Sequence, residues 1–109
     1  MPSSPLTRHS TAPILEPRPD HWDAVSVFNP GAVADDDGRI RMLYRAVTDQ
    51  RAYVSRLGLA VSEDGVAFER VGDEPVYQPQ FDFEVGGVED PRIVRDGEEY
   101  LVAYVAVSA

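Results

Sequence analysis

Three places in this chain carry polar groups that sheet packing does not require. The first is Ser26–Ala32, whose Asn29 is the only asparagine in the sequence. The second is Gly86-Gly87-Val88-Glu89-Asp90-Pro91-Arg92-Ile93, where two glycines allow close backbone approach and three ionisable groups follow within four residues. The third is Arg45, within the apolar run Arg39–Val47, where a charge is costly unless it is paired or aimed at a ligand. Carboxyl groups at Glu89 and Asp90 offer proton transfer, and Asn29, Arg45 and Arg92 offer polar binding. Each has a plainer reading. Asn29 before a proline makes an Asx-type turn, and Asp90 with Arg92 makes a surface pair worth under ~1 kcal/mol.

Other chemistry is excluded by composition. The 109 residues contain no Cys and no Lys, so thiolate nucleophiles, Cys-ligated metals and lysine Schiff bases are absent. His9 and His21 are too few for a multi-His metal site, and no cofactor is expected. Ten basic against nineteen acidic residues give a net charge of −9, which disfavours nucleic acid and anionic membrane surfaces. No run approaches the ~18 apolar residues of a membrane helix, and no secretory signal opens the chain, so the expectation is a cytoplasmic protein.

The elements that must position these groups read as β. Five of nine prolines fall in the first nineteen residues, so residues 1–24 are expected to form an extended arm anchored by Ile14 and Leu15. Val25–Ala34, Arg39–Val47, Tyr53–Val61, Ala67–Val71 and Glu99–Ser108 read as strands. Asp35–Gly38, Glu63–Gly65 and Asp96-Gly97 read as hairpin turns, and no segment has helical periodicity. The aspartates Asp35–Asp37 read as a solvated turn and not a calcium loop, since strand residues follow them. Strand alternation places Glu89 on the face opposite Asp90, and Arg92 on the same face as Asp90.

An internal repeat organises the chain. Asn29-Pro30-Gly31-Ala32-Val33 and Asp90-Pro91-Arg92-Ile93-Val94 each precede an Asp-Gly turn, at an offset of 90 − 29 = 61. Tyr44-Arg45-Ala46-Val47 and Tyr104-Val105-Ala106-Val107 follow, at an offset of 104 − 44 = 60. Val105 stands where Arg45 does, so the fold itself does not ask for the charge. Two meanders at this spacing point to propeller blades. A propeller closes with about four to eight blades. Residues 25–109 are therefore expected to be roughly the first two blades of a longer ring, with exposed sheet edges that favour homo-oligomers.

Trp22 through Ala32, Leu43-Tyr44-Arg45-Ala46, Arg56–Gly65 and Gly86–Ile93 together resemble glycoside hydrolase family 130, the β-mannoside phosphorylases. The resemblance runs from about Arg8 to the end and matches the N-terminal third of a member. It implies a five-bladed β-propeller that acts on β-mannosyl oligosaccharides, with inorganic phosphate as co-substrate. Asp90 matches the family's general acid, and Asn29 and Arg45 match residues holding the mannosyl unit in the −1 subsite. Arg92 lies in the same motif as Asp90, and Arg56 is similar to a strand arginine of the family; both are implied to assist substrate binding. The family's phosphate-binding residues have no counterparts within these 109 residues, and the short chain alone is expected to be inactive. Inverting cleavage needs one acid to protonate the leaving oxygen, and phosphate replaces the base that a hydrolase would use. Glu89 would help keep Asp90 protonated, were alternation not turning it away. Hydrolysis of β-mannosides and non-catalytic carbohydrate binding stand as the alternative readings.

Overall fold

A computed structural model describes residues 5–109, so Pro2 at the start of the arm lies outside the described residues. The chain forms β1 (Ser26–Ala34), β2 (Ile40–Val47), β3 (Ser55–Ser62), β4 (Glu69–Arg70), a short 3₁₀ turn at Asp82–Glu84, β5 (Gly87–Asp96) and β6 (Glu99–Val107). Strands β1 to β4 form one antiparallel sheet in sequence order, and β5 with β6 form a second. The all-β expectation holds, and the two meanders are one four-stranded blade and a two-stranded inner part of another. Among the described residues no helix is long and apolar enough to cross a membrane.

The strands at the start of the chain follow the expected boundaries closely. β3 begins at Ser55 and not Tyr53, because Tyr53 closes a turn in the left-handed region (φ 50°) with its N–H on the Asp49 carbonyl. β4 is shorter than Ala67–Val71. Asp64 Oδ1 accepts the N–H groups of Val66 and Ala67 at 2.9 Å each, which holds the chain in a turn until Phe68 reaches the core. The fourth strand is then interrupted and resumes where Leu57 pairs with Tyr77.

Alternation along β2 divides the molecule into two packing zones. Met42, Tyr44 and Ala46 meet Ala60 on one face, with Leu15, Trp22, Val27 and Phe68 packed around them. The proline-rich arm lies here, with Leu15 partly buried against the core, while Ile14, expected to anchor with it, is about half exposed. Arg41, Leu43 and Arg45 occupy the other face, toward the second sheet.

The 61-residue repeat reappears in backbone geometry. Between Phe28 and Gly31 two residues oppose the single Tyr44, and between Glu89 and Arg92 two residues oppose Tyr104. Each is a β-bulge whose first residue is left-handed: Asn29 at φ 47° and Asp90 at φ 51°. Asn and Asp tolerate this region better than other side chains. The proline that follows lacks an N–H, which a bulge leaves out of the ladder anyway. Asn-Pro and Asp-Pro therefore sit inside strands, and Asn29 does not end one.

A second repeated device fixes these hairpins from behind. Asp23 and Glu84, 84 − 23 = 61 residues apart, are both fully buried. Asp23 accepts from Arg70 Nε at 2.7 Å, Arg18 Nε at 3.0 Å and the Tyr44 hydroxyl at 3.2 Å. Glu84 accepts from the Tyr77 hydroxyl at 2.9 Å, the Gln80 N–H at 3.0 Å and the Tyr104 hydroxyl. Each carboxylate thus grips the tyrosine that faces its bulge.

Candidate active site

Arg45 is where the two blades meet. Its Nε donates to Ser55 Oγ at 2.6 Å and its Nη1 to Asn29 Oδ1 at 3.1 Å. Its Nη2 pairs with Glu89 Oε2 at 2.8 Å, and Nη1 lies 3.9 Å from Asp90 Oδ1. The guanidinium also lies over the Phe28 ring, 4.4 Å from its centroid. With 14% of its side chain exposed, the charge is partnered from two neighbouring strands of its own blade, β1 and β3, and from β5 of the next. That answers the question its sequence position raised.

The inner strands β1 and β5 approach too closely for side chains between them. A Cβ on Gly31 would lie 2.2 Å from the Pro91 carbonyl oxygen. Gly87, at φ 131°, lies against Ser55 in the same way, 2.9 Å from the Ser55 N–H nitrogen to a hypothetical Cβ. These two glycines bring the bulges at Asn29 and Asp90 to one level beside Arg45.

Asp90 is the least satisfied member of the group. Its Oδ1 is buried with no hydrogen-bond partner, while 46% of its side chain faces solvent.

The structure therefore brings Asn29, Arg45 and Asp90 together. Arg92 continues on the exposed side of β5, and its guanidinium makes no ion pair or hydrogen bond among the described residues. Arg56 is not part of this group. It pairs in register with Ala46, which places it on the sheet face opposite Arg45, where its Nη1 donates to Thr48 Oγ1 at 3.4 Å. It lines an open groove with Trp22, Asp49, Glu74 and Gln78. The expectation that Glu89 turns away from Asp90 is corrected, because the bulge breaks the alternation and both carboxylates reach Arg45.

Sequence reasoning missed Phe28, Ser55, Asp23 and Glu84. The last two carried a readable signal, since Trp22-Asp23 and Phe83-Glu84 repeat an aromatic–acid pair at the offset of the bulges. Their electrostatics are those of anchors. Burial works against the charge of Asp23, but the Arg18 hydrogen bond and the Arg70 charge hold the carboxyl below its usual range. Glu84 is likewise lowered, with burial opposed by hydrogen bonds from Tyr104, Gln80 and Tyr77, and the Tyr104 hydroxyl is raised by its bond to Glu84.

The family model for glycoside hydrolase family 130, described as β-1,4-mannooligosaccharide phosphorylase, matches residues 6–109. The chain belongs to glycoside hydrolase family 130. It is 40% identical over 104 residues to a 1,2-β-oligomannan phosphorylase of Thermoanaerobacter sp. (strain X514), covering 89% of this chain and 34% of that protein. It is 39% identical over 111 residues to a β-1,2-mannobiose phosphorylase of the same organism, covering 91% of this chain and 36% of that protein. A solved protein from Parabacteroides distasonis ATCC 8503 superposes with a TM-score of 0.79 at 30% identity, over 93% of this chain and 34% of its own. A solved family 130 structure, from work on members that hydrolyse β-1,2 mannosidic linkages in Candida mannan, superposes at 0.76 with 31% identity, over 93% and 34%. The family 130 chain thus spans about a third of the length of the relatives it matches, and its two sheets are one blade and part of a second in the β-propeller of that family.

Proposed function

We propose that this family 130 chain supplies the opening part of the catalytic propeller of an enzyme cleaving β-mannosides by phosphorolysis with inversion. The observation that carries the reading is the convergence of Asn29 and Asp90, from equivalent bulges of two blades, on one partly buried arginine. Asn29 and Arg45 hold the hydroxyls of the mannosyl unit, and Asp90 is the acid. Arg92, exposed on the strand of Asp90, is available to the sugar, while Arg56 lies on the opposite face of its blade, away from this group.

In the reaction a phosphate oxygen bonds to the anomeric carbon as the glycosidic C1–O bond breaks. The leaving oxygen takes up the proton that Asp90 supplies, and α-mannose 1-phosphate is the product. Inorganic phosphate is the co-substrate and is itself the anionic nucleophile, so no second carboxylate is needed as base and no cofactor enters. Both curated relatives are named for β-1,2-linked mannan or mannobiose, which favours that linkage over β-1,4. The ionised product does not leak across membranes, in keeping with a cytoplasmic site of action.

A hydrolytic reaction on the same sugars is the second reading, favoured by the family 130 hydrolases that target β-1,2 mannosidic linkages. The test is to incubate the complete protein with mannose 1-phosphate and mannose, glucose or N-acetylglucosamine as acceptor. Release of phosphate with at least one acceptor is expected. Folded protein that releases none with any of them overturns phosphorolysis.

A further inference from the structure

Glu89 is the charged group of this site that the proposed reaction leaves without a role, because strand alternation was expected to turn it away. On a regular strand it would face away from Asp90. The left-handed residue at Asp90 breaks that alternation, and the Glu89 carboxylate reaches Arg45 Nη2 at 2.8 Å. Its side chain is 22% exposed, so this is a sheltered ion pair and not a surface one.

The donors of Arg45 are shared out in a particular way. Ser55 takes Nε, Asn29 takes Nη1 and Glu89 takes Nη2, while Asp90 Oδ1 stands 3.9 Å from Nη1 without a hydrogen bond. A cation this close to a carboxyl group ordinarily favours its ionised form. An ionised Asp90 could not serve as an acid. Glu89 places an equal and opposite charge on the far side of the same guanidinium. From the surrounding strands, β1 presents neutral Asn29, β2 presents Arg45 and β3 presents neutral Ser55. β5 itself adds Glu89 and the outward Arg92, and β6 has Tyr104 opposite the bulge, its hydroxyl held by Glu84. Glu89 is the only carboxylate among these that contacts Arg45 at hydrogen-bond distance.

We propose that Glu89 is a positioning residue: it holds and neutralises Arg45, so that the guanidinium serves Asn29 and the sugar while Asp90 keeps its proton. The proposal rests on the reading of Asp90 as the acid. It explains why the ion pair is made across two blades, since the charge on β2 is offset only when β5 is docked.

The test compares wild type, Glu89→Gln and Glu89→Asp in the complete protein, following kcat/KM for phosphorolysis from pH 5 to 9. Glutamine keeps the shape but removes the charge, so the alkaline limb is expected to move down by about one pH unit, the low end for a newly exposed opposite charge. At a pH above the limb that displacement reads as about a tenfold loss beyond any loss at pH 5. Aspartate keeps the charge and is expected to hold the limb at its wild-type position, even if shorter reach lowers the rate throughout. The second ionisation of phosphate is common to all three and cancels in the comparison. An unmoved limb in folded Glu89→Gln overturns the proposal. If that variant does not fold, a limb displaced as far in Glu89→Asp overturns it equally. Should the wild type show no turnover, the functional reading falls separately. The carboxyl ¹³C titration of Asp90, lower in Glu89→Gln than in wild type or unchanged, then supports or overturns the role of Glu89.

Discussion

A guanidinium inside a sheet is tolerated when its donors are used, and Arg45 shows how local that requirement is. Its partners come from positions that ordinary strand logic separates, because Asn29 and Asp90 are both left-handed bulge residues. Buried carboxylates follow the same rule. Asp23 takes donors from Arg18, Arg70 and Tyr44, and its carboxyl is held below the usual range. A group with a depressed folded value stabilises the protein above its unfolded titration range. That contribution disappears as pH falls through the folded value. Asp23→Asn is expected to cost about 3 kcal/mol at pH 7, the low end for breaking a buried pair, since both arginines retain some solvent contact. Urea unfolding at pH 7 and pH 3 checks this. The gap between variant and wild type should narrow at pH 3, and equal midpoints at pH 7 would contradict it.

At the scale of elements, the site depends on how closely β1 and β5 can lie. Gly31 needs no unusual dihedral, yet a Cβ there would overlap the Pro91 carbonyl oxygen at 2.2 Å. Gly31→Ala is therefore expected to force the inner strands apart, destabilising by about 1–3 kcal/mol as overpacking does. It should also lower kcat/KM, because Asn29 and Asp90 would no longer meet at Arg45. Thermal midpoint and kinetics measured on the same preparation check both parts, and an unchanged midpoint would contradict the close approach. The repeat that places these strands was legible in the sequence, since Asn29-Pro30 and Asp90-Pro91 stand 61 residues apart. What those dipeptides do to the strand was not. Alternation alone sends Glu89 to the wrong face, and only the bulge returns it. The short β4 was overestimated for a related reason, because the Asp64 side chain holds the backbone that β propensity would have paired. The face taken by Arg56 follows from its register with Ala46, a long-range pairing that its neighbours in sequence do not fix.

At the scale of the whole molecule, neighbouring blades share one charge. Blade one contributes Asn29, Arg45 and Ser55, and the next contributes Glu89 and Asp90. Neither holds the whole cluster, so these five side chains come together only as the two blades dock. The direct measurement is ³¹P NMR of the complete protein incubated with β-1,2-mannobiose and inorganic phosphate. The account predicts accumulation of α-mannose 1-phosphate, with Asp90→Asn slowing it by about 10²–10⁴-fold, as loss of a general acid does. Mannose formed at the same rate without phosphate, or full turnover by a folded Asp90→Asn protein, would contradict it.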